Sequence, residues 1–352
     1  MTDAKSADNM GSRQYVAEWE YYKDVLEECK VVEKTLWLDV KGNHDTFNVP
    51  GQESSQNFFR NYSIQGAKHI RSYMVQVPRK DEIYSFIAVD ASLEPGPRRP
   101  FNFIGVLGIQ EFEQLKKFEQ QARENGNFTI WFGHYPSSCI LTPDPGLRDI
   151  IGRSGLAYLC GHLHKVGGLV PNMYVMQKAG HLELELADWK DNRMYRLGAI
   201  DHGLFNFIDI PHGEWPVILV TNPKHALYIM PDREPMYRIH NSTHIRVLVF
   251  SPAPIIRVMI RIDQAEWQTC NQVSGPLYVV PWNATLYTSD SHTIEVVAED
   301  AERRIKSLSQ PFSLDGTRPS FNIFPRITLM TNASAIVSSV VLNFKASIKY
   351  SH

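Results

Sequence analysis

Three short polar segments, each following an apolar run, constrain this 352-residue chain more than any other feature of its sequence. They are Gly42–Asp45 (GNHD), Gly133–Pro136 (GHYP) and Gly161–His164 (GHLH). Short apolar runs that end at a glycine predict buried strands. Open α/β sheets build their sites in the loops at the carboxyl ends of strands. The pattern therefore predicts that one edge of one sheet gathers all three segments.

The side chains in these segments are of the kind that binds metal ions. Imidazole nitrogen and amide oxygen suit borderline divalent ions, and alternation along GHLH directs both of its imidazoles to one side if that segment is extended. Each residue also has a simpler interpretation. His134 alone fits a hydrogen-bonded histidine at a strand end, and Asn43 alone fits a turn residue beside glycine. The joint occurrence of the three segments favours a metal centre.

The first two hundred residues combine helix and strand patterns. Apolar residues at three- and four-residue spacing predict helices over Arg13–Cys29 and Gln110–Glu124. The run Thr35–Val40 predicts a buried strand that follows the first helix and completes a crossover. A crossover also needs a strand before its helix, but only polar sequence precedes this one. We therefore expect the first helix to leave an apolar strip exposed. Further strands are predicted at Ser72–Val77, Tyr84–Val89, Thr129–Gly133, Leu156–Cys160, Met173–Lys178 and Leu204–Ile210. This mixture indicates an α/β or α+β domain.

The pattern changes after the Pro211–Pro216 link, because helical periodicity gives way to short strands separated by Pro, Asn and Gly turns. These strands are predicted at Val217–Thr221, Ile245–Phe250, Ile255–Ile262, Pro276–Val280 and Thr293–Glu299. Short strands at this spacing predict a β-sandwich of about a hundred residues.

Charge and cysteine content exclude several classes of function. The chain has 36 Lys and Arg against 38 Asp and Glu, a net charge of −2, so it has no basic field for a nucleic acid. Its four cysteines form no CxxC pair, which argues against a zinc ribbon or a disulfide framework.

The membrane and secretion signals are mixed. The first thirty residues lack the apolar core of a signal peptide, and Ile327–Phe344 carries too many polar residues for a convincing span, which favours a strand or a tail. Five asparagines fit the N-glycosylation pattern, where chance would give about two, and this hints at a lumenal origin. They are Asn61, Asn127, Asn241, Asn283 and Asn332.

In their order and separations, GNHD, GHYP and GHLH resemble the third, fourth and fifth motifs of the calcineurin-like metallophosphoesterases. The stretches EPGPRRPFNFIGVLG, TIWFGHYPSS and AGHLELELADW resemble one branch, the transmembrane protein sixty-two family. In that branch a phosphoesterase domain is followed by an immunoglobulin-like domain and membrane helices. The resemblance covers residues 1–326. It implies an α/β (α+β) metallophosphoesterase-like sandwich over 1–212, N-terminally incomplete, an all-β immunoglobulin-like sandwich over 213–316, and a C-terminal tail over 317–352.

The resemblance also implies roles for individual residues. Asn43, His134 and His162 would ligate one divalent metal (Mn, Fe or Zn), and His164 would ligate a second. His44 would act as general acid or phosphate contact, oriented by Asp45. Such a pair of metals lowers the pKa of a bridging water and clamps the oxygens of an in-line displacement. The implied activity is hydrolysis of a phosphate ester, and the implied location is an endomembrane with the domain facing the lumen.

The sequence departs from the family pattern at both ends. The Asp-x-His and metal-bridging Gly-Asp motifs are expected before the first helix, where Asp3 matches only a later Asp of the second motif. Membrane helices are expected after Arg326, but residues 327–352 are short and polar, so membrane association would depend on helices absent here. We therefore expect an incomplete dinuclear site with weak or no turnover. The alternative is a catalytically silent interaction or regulatory module of the same fold.

Other polar residues have weaker claims to a function. Asp90 follows a predicted strand but precedes Ala-Ser, which is typical of a turn former. Arg98 and Arg99 could bind phosphate, although two arginines flanked by prolines are typical of a solvated loop.

Overall fold

A computed structural model describes residues 13–99, 101–166 and 168–331. The chain divides into two compact units. The first comprises the residues up to Glu185 together with those from Ile323 onward, and the second comprises Leu186–Asn322.

The first unit begins with a helical layer of α1 (Val16–Glu28), α2 (Val31–Lys34) and α3 (Phe58–Tyr62). The predicted first helix is present, but its apolar face is not left exposed as expected. Trp19, Tyr22 and Leu26 are buried against α3, and the Trp19 ring meets the Phe59 ring edge-on at 6.1 Å. A short neighbouring helix thus covers this face, where the prediction had required a strand.

The predicted strand at Thr35–Val40 does not form, although residues 37–40 are half-buried. Side chains satisfy its backbone in place of a neighbouring strand. Gln65 Nε2 donates to the Trp37 carbonyl at 2.7 Å, and the Tyr73 hydroxyl donates to the Asp39 carbonyl at 2.8 Å. Apolar sequence predicts burial here, but a strand also requires a partner for its ladder.

A six-stranded sheet forms the centre of the first unit, in the order β1-β2-β4-β6-β8-β7. The four central strands β2, β4, β6 and β8 are parallel, and the two edge strands are antiparallel to their neighbours. In chain order the strands are β1 (Tyr73–Arg79), β2 (Glu82–Val89), β3 (Gly105–Val106), β4 (Phe128–Gly133), β5 (Ile140–Leu141), β6 (Gly155–Cys160), β7 (Met173–Met176) and β8 (Leu182–Glu185). The short β3 and β5 pair separately.

Two crossover helices cover this sheet. They are α4 (Ile109–Asn125), between β2 and β4, and α5 (Leu147–Ser154), between β4 and β6. Phe112 of α4 and Ile150 of α5 are fully buried in one cluster with Trp131 of β4. The sheet core lies under these helices, so the loops at the carboxyl edge are held at their strand ends by a packed core.

The second unit is built from antiparallel strands. A hairpin of β9 (Met194–Asp201) and β10 (Leu204–Pro211) precedes two four-stranded sheets, ordered β11-β12-β16-β15 and β14-β13-β17-β18. Their bounds are β11 (Val217–Asn222), β12 (His244–Phe250), β13 (Ile255–Ile262), β14 (Gln268–Thr269), β15 (Asn271–Ser274), β16 (Leu277–Pro281), β17 (Ser291–Asp300) and β18 (Ile305–Ser313), with helix α6 (Tyr237–His240) before β12. Alternate residues of β12 and β17 are buried in a common core, the arrangement of a β-sandwich.

The last described helix is α7 (Ile323–Met330), which belongs to the first unit. The guanidinium of Arg148 donates to the carbonyls of Leu329 at 2.7 Å, Met330 at 3.0 Å and Thr331 at 3.0 Å, and so caps its carboxyl end. The prediction of a strand or tail for 327–344 is wrong at residues 327–330, and its remainder from 332 lies outside the described residues. Within the three described ranges, no helix is long and apolar enough to span a membrane.

Candidate metal centre

Parallel pairing of β4 with β6 explains why two of the sequence-predicted histidines lie together. His134 follows the last residue of β4, and His162 comes two residues after the end of β6, its immediate neighbour in the sheet. The Gly161 amide donates to the His134 carbonyl at 3.0 Å, which joins the two loops. Residues 28 positions apart in sequence therefore lie side by side at the carboxyl edge of the sheet.

The GNHD segment reaches the same edge as a tight 3₁₀ turn over His44–Thr46. The Asp45 carboxylate accepts from the Gly42 amide at 2.8 Å, and the Thr46 hydroxyl donates to the Asn43 carbonyl at 3.1 Å. A Cβ atom at Gly42 would lie 3.2 Å from Nδ1 of His134. The glycine thus permits the close approach of the turn to the imidazole.

Three polar atoms that could bind a metal meet at this edge. Nε2 of His134 lies 2.9 Å from Oδ1 of Asn43 and 3.0 Å from Nδ1 of His162. We call Asn43, His134 and His162 the acceptor triad. The amide of Asn43 and both imidazoles thereby converge on one small volume.

Two backbone carbonyls orient the triad. Asn43 Nδ2 donates to the Asn102 carbonyl at 3.3 Å, so its oxygen faces His134. Nε2 of His162 lies 3.1 Å from the Phe103 carbonyl, which can only accept, so Nε2 carries the proton and Nδ1 keeps a lone pair. Two acceptor atoms therefore face Nε2 of His134, and one proton serves all three atoms.

Both imidazoles of the triad are held in the neutral form. Burial and the adjacent His162 ring lower the pKa of His134 well below its ordinary value. Burial also lowers the pKa of His162 to about 4, although its hydrogen bond to the Phe103 carbonyl acts in the opposite direction. Metal ligation needs neutral imidazole, so the rings are in the protonation state that it requires.

His164 lies at the end of the GHLH loop, which is turned rather than extended. Its φ of 55° is left-handed, so the alternation of an extended chain does not apply to its imidazole. Its amide donates to Glu185 Oε1 at 2.9 Å, and the Leu163 amide donates to the same oxygen. Burial raises the pKa of Glu185 to about 7. A buried carboxyl at the end of β8, which sequence reasoning did not select, thus fixes this loop.

His44 lies beside an arginine that the sequence placed in a solvated loop. Its ring stacks on the buried Phe47 ring at 4.9 Å and 26°, and its Nε2 lies 3.2 Å from Nη2 of Arg99. A guanidinium can only donate, so Nε2 of His44 accepts this hydrogen bond. Arg99 is thereby brought to the predicted site.

A buried ion pair lies next to the GNHD turn. Lys41 Nζ lies 3.0 Å from Oδ2 of Asp90, and both side chains are almost fully buried. Burial alone would raise the pKa of Asp90, but the charges of Lys41 and Arg71 hold it below its ordinary value. Asp90 is therefore an ion-pair partner at the end of β2 rather than only a turn former. An Asp directly after a buried strand was the sequence feature that could have indicated this.

Acidic ligands do not join the triad in the described part of the chain. Over residues 13–99, 101–166 and 168–331, no group of three or more His, Cys, Asp or Glu side chains is placed to hold a metal ion. Any cation held at the triad would have neutral ligands from these residues.

Sequence comparison places the chain among known proteins. Residues 212–318 match the family described as the TMEM62 Ig-like domain. The chain is 46% identical over 316 residues to transmembrane protein 62 of Mus musculus. This chain belongs to the transmembrane protein 62 family. The match covers 89% of this chain and 48% of the mouse protein, so the chain spans about half the length of the curated relatives that it matches.

A more distant relative carries a name that bears on the site. An Arabidopsis thaliana protein, provisionally named a metallophosphoesterase, is 25% identical over 389 residues, covering 90% of this chain and 52% of that protein. Among solved structures, an endo-β-1,4-mannanase from Thermotoga petrophila aligns at 8% identity with a TM-score of 0.24, over 57% of this chain and 42% of that one. A likeness that low carries no argument about the fold.

Proposed function

We propose that this chain is the metal-binding part of a phosphoesterase with a metallophosphoesterase-like fold in its first unit. The observation that carries the proposal is the acceptor triad. In it, His134 Nε2 lies 2.9 Å from Asn43 Oδ1 and 3.0 Å from His162 Nδ1. Asn43 Oδ1 and His162 Nδ1, together with His134 Nε2 once its ring proton lies on Nδ1, would offer their lone pairs to a cation. The distant similarity to the Arabidopsis protein supports the same proposal.

The chemistry of the triad fits a borderline divalent metal. Imidazole nitrogen with one amide oxygen suits Mn, Fe or Zn, and the carbonyls of Asn102 and Phe103 fix the two outer ligands from behind. His134 would hold its ring proton on Nδ1 to offer Nε2. His164, in the turn beside the triad, is proposed as a ligand of a second metal.

When bound, such a metal polarises a phosphoryl oxygen. The protein's own residues would position the ester around it. His44 would donate to the phosphoryl or leaving oxygen through a protonated Nε2, in place of the hydrogen bond that it now accepts from Arg99. Asp45 would act on His44 indirectly, because its carboxylate holds the turn through the Gly42 amide. The substrate is therefore a phosphate ester, bound at the carboxyl edge of the sheet.

The second candidate is a catalytically silent interaction or regulatory module. One observation favours it, because the triad and the Phe103 carbonyl already form a continuous hydrogen-bonded chain through His162. In this alternative the histidines only join the loops at the sheet edge. Metal titration separates the two candidates.

The test is titration of the purified chain with Mn²⁺ by calorimetry, followed by hydrolysis of an aryl phosphate in added Mn²⁺. We expect binding by the native chain, and we expect His162→Ala or Asn43→Ala to weaken it at least tenfold, since each removes one of three ligands. The matched control is His240→Ala, an exposed histidine at the end of α6 in the second unit. Equal Mn²⁺ binding by His162→Ala and the native chain, or no binding at all, would favour the silent module.

We also propose a membrane location with these units facing a lumen. The mouse relative is named a transmembrane protein. The four predicted glycosylation acceptors within the described residues, Asn61, Asn127, Asn241 and Asn283, are all exposed. A shift in apparent mass on treatment of the cell-expressed protein with an N-glycosidase is the expected result, and its absence would argue against lumenal exposure.

A further inference from the structure

One loop touches the candidate site at three places. It comprises residues 96–103, of which the structure describes all but residue 100, and we call it the 96–103 loop. Arg99 donates to Nε2 of His44 at 3.2 Å, the Asn102 carbonyl accepts from Asn43 at 3.3 Å, and the Phe103 carbonyl accepts from His162 at 3.1 Å. The loop therefore runs along the site from His44 to His162.

The loop presents aromatic side chains to solvent beside this site. Phe101 is 76% exposed and Phe103 is 48% exposed, whereas Asn102 between them is 5% exposed. The Phe103 ring lies 5.0 Å from the His162 ring, between centroids, at a 54° angle. Exposing phenylalanine forgoes part of the stabilisation that burial of its ring would give. The polar contacts of the loop thus face the metal ligands, and its two apolar side chains are available to a ligand.

Arg99 completes the arrangement with a positive charge. Its guanidinium lies 5.6 Å from the centroid of the buried Phe47 ring, the same ring on which His44 stacks. One rigid aromatic side chain therefore holds both an imidazole and an exposed guanidinium. The planar fork of a guanidinium matches the oxygens of a phosphoryl group, which it binds with two parallel hydrogen bonds.

We propose that the 96–103 loop selects the substrate of the proposed phosphoesterase. Arg99 binds the phosphoryl group, and Phe101 and Phe103 receive an apolar leaving group. The substrate class is therefore a phosphate ester of an aromatic or long-chain alcohol rather than of a sugar or another polar alcohol. This inference rests on the proposed function, since it takes the triad as the place where the phosphoryl group binds.

Charge and position favour this occupant over a protein partner. The exposed phenylalanines lie within four residues of Arg99, whose charge complements a phosphate, and Phe103 adjoins a proposed metal ligand. An amphiphilic phosphate ester matches both features at once, with its anionic head at Arg99 and its apolar part on the aromatic rings. A self-associating surface would need the aromatic rings but not Arg99.

The experiment compares two phosphonates that share a head group and differ in their apolar part. Phenylphosphonate and methylphosphonate are titrated into the full chain in Mn²⁺ by calorimetry. We expect phenylphosphonate to bind about tenfold more tightly, since partial burial of one ring corresponds to that factor. The double variant Phe101→Ser, Phe103→Ser should lose this preference and keep its affinity for methylphosphonate, because the backbone carbonyls that orient the triad remain.

Matched controls come from the same chain. Phe324→Ser removes a phenylalanine that is 62% exposed in α7 and should leave the preference unchanged. Arg99→Ala should weaken both phosphonates about equally, and more than Arg98→Ala, whose guanidinium donates to Asn48 instead. Arg99→Lys should recover only part of the affinity, since it keeps the charge but loses the fork.

Each outcome bears on the proposal. Equal binding of the two phosphonates, or a preference that survives in the double variant, would overturn it, even if Mn²⁺ binds as proposed. A preference that depends on the two phenylalanines without any Mn²⁺ binding would support the loop as a ligand site and contradict the phosphoesterase. Conversion of a dimer to a monomer by the double variant, with no change in phosphonate binding, would show a self-association surface and overturn the proposal.

Discussion

The acceptor triad of the first unit differs from the buried ion pairs that both units contain. In the second unit each buried charge meets a partner of the other sign, as in the pair of Lys224 and Glu234, whose atoms lie 2.6 Å apart at 0% exposure. Arg196 and Asp209 pair in the same way at 2.6 Å. In the first unit, the three atoms of the acceptor triad share a single proton.

Under the proposed function, this difference separates polar groups that hold the fold together from polar groups that would bind a metal ion. A buried ion pair is satisfied within the protein, and removal of one partner leaves an unpaired charge. The triad has more acceptors than donors, which a protein tolerates best where a cation can supply the missing positive charge.

The largest effect is expected from Glu234→Ala. This change leaves the ammonium of Lys224 fully buried with only the Phe205 carbonyl to accept from it, and should lower the free energy of unfolding by about 3–5 kcal/mol. Urea denaturation measures the loss. The double replacement Lys224→Met, Glu234→Leu removes both charges and should recover most of the stability. A loss below about 1 kcal/mol in the single variant would contradict the claim that this buried ion pair holds the fold together.

An intermediate effect is expected at Asp201, at the end of β9. Burial acts to raise its pKa, but hydrogen bonds from Thr221 and Arg246, each 2.6 Å, outweigh it and leave the pKa lowered. Because the native state holds this carboxyl charged, its stabilisation is present above the ordinary pKa of about 3.9 and is lost as the pH falls through the lower native pKa.

Asp201→Asn should therefore cost about 1–3 kcal/mol at pH 7 and less at pH 3, below the ordinary pKa, because only the charged carboxylate strengthens these bonds. Unfolding of the native chain and the variant at both pH values measures the difference. A cost that does not depend on pH would show that the charge of Asp201 is unimportant.

The smallest effect on stability, but a clear effect on the site, is expected from Gly42→Ala. The new Cβ would lie 3.2 Å from Nδ1 and 3.3 Å from Cε1 of His134, so the ring must move by a few tenths of an ångström. Mn²⁺ affinity should fall about tenfold, while the free energy of unfolding changes by less than about 1 kcal/mol. Gly198→Ala in β9 is the control, because its Cβ would meet only ordinary contacts from 3.5 Å.

The sequence predicts those features of the fold that depend on local pattern. The strands β2, β4 and β6 and the helix α4 follow from apolar runs and helical spacing, and their ends bring His134 and His162 to one edge. The segment Thr35–Val40 was predicted wrongly because pairing depends on a neighbour that local sequence does not show. The role of Arg99 was also underestimated, because it contacts His44, a residue 55 positions away in the sequence.

Roles within the site depend on geometry that no single segment contains. The tautomer of His162 is fixed by the carbonyl of Phe103, a backbone group that carries no sequence signature. Glu185 was noted only within the stretch AGHLELELADW, yet it accepts from two amides of the GHLH loop. The metal-ligand assignments of Asn43, His134, His162 and His164 and the roles of His44 and Asp45 remain predictions.

The most direct test of the account is a crystal structure of the chain grown with Zn²⁺ and measured at the zinc absorption edge. We expect an anomalous peak at the acceptor triad, about 2.0–2.2 Å from Asn43 Oδ1, His134 Nε2 and His162 Nδ1. Those atoms would separate from their present 2.9 and 3.0 Å contacts to admit the ion. A structure with the hydrogen bonds of the triad intact and no peak there would contradict the claim that these residues form a metal site.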